Sequence, residues 1–192
     1  MKIKLNIDSG FFCRVALFLL IFPLRWVIGF LVAITIHECS HLLTIKMMGI
    51  QVGGISVSGN GIKMKTGEMS PIQELAGAFA GPFGGALLLL FWRIFPEAAV
   101  CAIVHSVFNL LPIYPFDGGR IITALCRSIF GDEKGNKIGN RIGLCALVFL
   151  TFISINAIKY LGVVAFLPVI FLVASTKNIP LFSFKISHAL DK

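Results

Sequence analysis

The apolar run from Phe11 to Leu43 constrains this chain more than any other stretch. It is 33 residues long and would make about 50 Å of helix, against a bilayer hydrocarbon core of about 30 Å. One span cannot hold it. Pro23-Leu24-Arg25 supplies the break, because a proline ends one helix and suits the first turn of the next. The run therefore predicts a short first helix over 11–22 and a second over 25–46, with Arg14 reaching toward the same side as Lys2 and Lys4. The rest of the chain agrees with a membrane setting. Its residues are 57% apolar and only 14% charged, with a mean hydropathy of +0.91, against about 25% charged in a soluble domain. No small-residue cleavage pattern follows Leu20, so the first helix reads as a retained anchor.

The remaining elements follow from local signals. Residues 1–10 read as a basic tail. Ile55–Ser58 and Ile62–Lys65 alternate apolar and polar around Gly59-Asn60-Gly61, which predicts a β-hairpin. Pro71 opens a third helix, to about Phe95. It contains Gly77 and Gly81 in G-x-x-x-G spacing, which permits close helix contact, and Pro82, which would kink it. A fourth helix covers 97–111. Pro112 and Pro115 then hold the chain extended. Residues 119–130 form a helix too short to span, which reads as interfacial. Residues 131–135 read as a loop, followed by a fifth helix over 140–158, a tight turn at Lys159–Gly162, a sixth helix over 160–175 and a polar tail.

The expected fold is thus an all-α polytopic membrane protein of about six transmembrane helices. A small cytoplasmic-side β-hairpin and one interfacial helix complete it, in a single domain over 1–192 with its core in 25–130. Six spans put thirteen Lys and Arg on one side and three (Arg25, Arg93, Lys159) on the other. That asymmetry places both termini in the cytoplasm. The net charge of +8 lies in loops between apolar runs, which argues against a nucleic-acid partner; the lipid bilayer is the expected one. Cys13, Cys39, Cys101, Cys126 and Cys145 show no paired spacing and read as small membrane-buried apolar residues, not as disulfides or a Cys zinc site.

Within the second helix stands Ile36-His37-Glu38-Cys39-Ser40-His41-Leu42, an H-E-x-x-H. Histidines four apart share one helix face about 6 Å apart along the axis. Both imidazoles can reach one Zn²⁺, with Glu38 beside the metal as general base for a water. Ionisable groups at bilayer depth are costly, about 2.5–3.5 kcal/mol on insertion scales, and mark functional sites. A catalytic zinc takes three protein ligands and an open position. Asp117, His105, Glu74 and Cys39 are the candidates for the third. Cys39 faces another side of the helix. His105 lies deeper and also reads as a histidine bonded to a neighbouring helix. Asp117 sits at the expected depth but also reads as an N-cap for the helix that follows it.

H-E-C-S-H in a membrane helix, together with Asn109-Leu-Leu-Pro-Ile-Tyr-Pro-Phe-Asp-Gly-Gly119, resembles the site-2 protease family of intramembrane zinc metalloproteases (peptidase family M50). Within that family it is most similar to the group of stage IV sporulation protein FB. Ala80-Gly81-Pro82 matches a further family element, and the resemblance covers residues 30–125. It implies that Asp117 is the third zinc ligand, that Glu38 activates the water, and that Asn109 helps position substrate. It implies hydrolysis of peptide bonds in membrane-spanning or membrane-tethered proteins near the cytoplasmic face. Such substrates include transcription-factor precursors, and an inhibitory or regulatory membrane protein is a candidate partner. No CBS or PDZ domain of the kind seen in some relatives is expected. The competing reading is a non-proteolytic zinc-binding scaffold or a metal transporter. A transporter would spread its ligands along a path across the membrane.

Overall fold

The computed structural model describes residues 4–58 and 61–162. They form a mostly helical protein with one small sheet. The chain divides into two compact units, Met1–Leu110 and Leu111–Lys192.

The first unit begins with strand β1 (Lys4–Ile7) and helix α1 (Ser9–Ile21). Asp8 caps α1, its carboxylate accepting from the Gly10 N–H, while its own N–H donates to the Val57 carbonyl at 2.8 Å. Pro23 then breaks the chain as expected, and α2 runs Leu24–Met47. It stops at Gly49, whose φ of +75° a side chain would resist. Strands β2 (Val52–Ser58) and β3 (Gly61–Thr66) form the predicted hairpin. The expected basic tail contributes more than charge: β1 pairs parallel to β2, giving a three-stranded sheet in the order β1-β2-β3. A four-residue strand whose partner lies about 50 residues away leaves no local pattern to read.

Helix α3 (Pro71–Leu87) opens on a reciprocal Ser70–Gln73 capping box with Pro71 in its first turn. It tightens into a 3-10 turn at Leu88–Phe91, short of the expected end near Phe95. Pro96 starts α4 (Pro96–Asn109). The buried residues of α2 are Val27, Gly29, Ala33, His37, His41 and Ile45. From Gly29 onward they recur every four residues, a single stripe along the helix. This stripe faces small residues. A Cβ on Gly29 would press on the backbone of Glu97 and Ala98, and one on Gly84 would strike Ser40. Glycine here lets the backbones of α2, α3 and α4 approach, which is how helices associate where lipid removes the hydrophobic drive.

In the second unit, α5 (Asp117–Phe130) is the expected short amphipathic helix. Its neighbour corrects the sequence reading. Residues 132–135, expected as loop, and 136–139, between that loop and the expected fifth helix, are the first turns of one long helix, α6 (Asp132–Leu161). Gly131, at φ +78°, makes the whole turn between α5 and α6. Gly135, which falls in the expected loop, and Gly139 are contact points. A Cβ on Gly135 would strike the Arg127 backbone, and one on Gly139 would strike Thr123. An Arg127–Asp132 ion pair of 2.7 Å closes the turn. Helical geometry continues through Leu161 to Gly162, where a tight turn was expected to begin at Lys159. The expected sixth helix and the polar tail lie almost wholly outside the described residues.

Among the described residues, three helices are long and apolar enough to cross a membrane: Leu24–Met47, Pro71–Phe91 and Asp132–Tyr160. Leu144, Val148, Phe149 and Phe152 on α6 are all more than 60% exposed, an apolar surface suited to lipid tails.

Candidate metal centre

His37 and His41 come from adjacent turns of the α2 stripe and are buried, at 1% and 5% exposure. Their Nε2 atoms lie 3.1 Å apart, and the rings stand nearly perpendicular, 81° between planes. The tautomer of His41 follows from its other nitrogen. Nδ1 is 2.7 Å from the Gly77 carbonyl oxygen of α3. A carbonyl only accepts, so Nδ1 carries the proton and Nε2 of the neutral ring offers a lone pair. An imidazole that donates one N–H to a backbone carbonyl is the usual arrangement of a metal-ligating histidine.

Two facing imidazole nitrogens at this distance need a proton or a cation between them. A tetrahedral ion with metal–nitrogen bonds of about 2.0–2.1 Å sets two such nitrogens about 3.3 Å apart. The observed separation fits an ion bound by both. Gly81 walls the pair on the α3 side. A Cβ there would come within 2.6 Å of His37 Nε2 and closer still to His41 Nε2. Only glycine fits, which gives the Ala80-Gly81-Pro82 element a steric reason. The G-x-x-x-G pair thus both packs the helices and shapes the site.

The other sequence candidates divide. Glu38 is half-buried on α2, next to His37, and Cys39 is exposed on another face as expected. Glu74 is half-buried in the first turn of α3. The ring of His105 on α4 stands edge-on to His37, 4.6 Å between centroids. Sequence depth alone had set it apart from the site. It packs against Phe30 on its other side, and its Nε2 is 2.9 Å from the Asn109 side-chain amide. Asn109 ends α4, half-buried. No spacing rule announces the His37–His105 contact, since it depends on how α2 packs on α4.

In the second unit Asp117 is buried, at 6% exposure. The N-cap reading of this residue fails: Phe116 is the cap, with no side-chain cap bond, and Asp117 is already helical. Arg120, one turn on, approaches its carboxylate at 3.6 Å. Gly119 is required by space, because a Cβ there would run into the backbone of Ile113 and Tyr114.

The profile of Peptidase family M50 matches residues 61–150. That match spans Gly81, Asn109 and Asp117 and lies wholly after the histidine pair. A zinc metalloprotease of Methanocaldococcus jannaschii is 29% identical over 71% of this chain and 46% of its own length. A relative from Synechocystis is 28% identical over 62% of this chain and 37% of its own length. This chain therefore spans less than half the length of both curated relatives. Among solved structures, the site-2 protease from M. jannaschii superposes with a TM-score of 0.67 at 21% identity. The match covers 92% of this chain and 90% of that one, which shows the fold.

Proposed function

We propose that this protein is an intramembrane zinc metalloprotease that hydrolyses peptide bonds of membrane-spanning or membrane-tethered proteins near the cytoplasmic face. The observation that carries the reading is the convergence of His37 and His41 Nε2 at 3.1 Å, with His41 fixed in tautomer by Gly77. The match of residues 61–150 to the M50 profile and the metalloprotease name of the M. jannaschii relative support it.

His37, His41 and Asp117 would hold the ion. All three are buried and each offers one ligand atom, two imidazole nitrogens and one carboxylate oxygen. That donor set suits a catalytic zinc with an open position. A zinc ion held by these residues would supply Lewis acidity, lowering the pKa of a bound water and polarising the scissile carbonyl. Glu38 takes the proton of the attacking water and returns it to the leaving amine. The Gly77 carbonyl holds the His41 ring in place, and Asn109 positions the substrate main chain.

A helical substrate must unwind before its peptide bonds are open to attack, and unwound N–H and C=O groups in hydrocarbon cost several kcal/mol each unless paired. A sheet edge pairs them without regard to sequence. The edge for this role is β3. Strand β2 has neighbours on both sides, so Ile55 and Val57 lie on an interior strand. Ile62 and Met64 remain as edge residues.

The inferred setting is the cell membrane, with six spans and both termini cytoplasmic, supported by the thirteen-to-three charge asymmetry. A kinship with the stage IV sporulation protein FB group, and with it the release of a transcription-factor precursor, rests on the Asn109–Gly119 stretch. Reconstitution with a single-span substrate tests the activity. Cleavage that stops with a chelator and returns with zinc supports the reading; cleavage indifferent to chelation overturns it.

A further inference from the structure

Asn109 makes two hydrogen bonds through the same atom. Its Nδ2 donates to the backbone carbonyl of His105 at 3.2 Å and lies 2.9 Å from His105 Nε2. The carbonyl can only accept, so the atom facing it is the amide nitrogen and the side chain cannot be flipped. An amide nitrogen does not accept. His105 Nε2 must therefore be the acceptor, which puts the ring proton of neutral His105 on Nδ1. Both N–H groups of Asn109 are then committed to His105. The polar atom left for a ligand is Oδ1, an acceptor.

We propose that His105 is a positioning residue that fixes the Asn109 amide with Oδ1 as its working atom, so that Asn109 meets the substrate by accepting a main-chain N–H. This rests on the protease reading and on the role of Asn109 in it. The alternative role for such an amide, donating to a carbonyl that gains negative charge, requires an N–H that His105 has already taken. The ring of His105 also stands edge-on to His37, so the residue that orients Asn109 is registered against a proposed metal ligand. The substrate main chain is thereby held at a fixed offset from the zinc.

The test uses the full-length protein in liposomes. The substrates are semisynthetic, with single backbone amides near the scissile bond replaced by esters, the scissile bond excepted. An ester removes one N–H and leaves the chain otherwise intact. At one position the ester should raise KM about five- to tenfold, the worth of one hydrogen bond, and the same ester should cost Asn109→Ala nothing further. His105→Phe keeps an aromatic ring beside His37 but no acceptor. It should retain one zinc per chain, raise KM by a similar factor on the amide substrate and lose the ester discrimination. His105→Gln, whose Oε1 can accept from Asn109, should restore both. No ester position that separates wild type from Asn109→Ala would overturn the proposal, as would a His105→Gln no better than His105→Phe. Loss of zinc from His105→Phe would also overturn it, since His105 would then be supporting the metal. Failure of the wild type to cleave any substrate would sink the protease reading, and this inference with it. Zinc-dependent cleavage without these effects would sink the inference alone.

Discussion

Gly81→Ala is the smallest change with the largest calculable consequence. The added methyl would sit within 2.6 Å of His37 Nε2 and nearer to His41 Nε2. An ordinary contact needs at least 3.4 Å, so His37 must retreat by about 0.8 Å and His41 by more. A metal site tolerates about ±0.2 Å in its ligand distances. Neither histidine can retreat within that margin, because both are buried in the α2 stripe and His41 is tied to Gly77. Changes to groups that merely support ligands cost 10–100-fold in metal affinity. Displacing the two proposed ligands should cost at least about 100-fold, with activity falling at least as far. Zinc per chain by elemental analysis, with affinity by chelator competition, reads the effect, and circular dichroism checks that the helices persist. Gly67→Ala is the control, since a Cβ there meets only the Gln51 carbonyl at 4.0 Å, and it should bind zinc as wild type does. A Gly81→Ala protein with normal zinc affinity and normal cleavage would refute the geometry of the centre.

Asp117→Ala should lose zinc affinity and activity together, and Asp117→Asn should cut activity strongly. If His105→Ala loses zinc and Asp117→Ala does not, the ligand set is wrong. Proline at Ile62 or Met64 on β3 removes one strand donor; substitution at the position facing substrate should lower turnover with zinc unchanged. Unchanged turnover in both would make the sheet a connector only. A compartment-sensitive reporter after Lys192 should read cytoplasm and one at Lys159 the outer side; an outside C-terminus would show that 11–22 does not span.

The elements that announce themselves locally were legible. Pro23 and Pro71 mark helix starts, Gly59–Gly61 marks the hairpin, and H-E-x-x-H marks the histidine pair. What was missed depends on contacts distant in sequence. Strand β1 exists because β2 pairs with it. The stretch after Gly131 is helical because Gly135 and Gly139 let α6 approach α5 closely, where glycine read by itself suggests a loop. His105 joins His37 only through the packing of α2 on α4. The tautomer of His41 depends on a carbonyl 36 residues away. The G-x-x-x-G spacing pointed to packing, yet the demand on Gly81 comes from the two histidine nitrogens.

The measurement closest to the central claim is Glu38→Gln read for zinc and cleavage together. Glutamine keeps the size of glutamate and loses its basicity, and general-base catalysis contributes about 10²–10⁴-fold. The variant should hold one zinc per chain and cleave at least 100-fold more slowly than wild type. Zinc lost along with activity would make Glu38 structural, and full activity with zinc retained would contradict its role as the base.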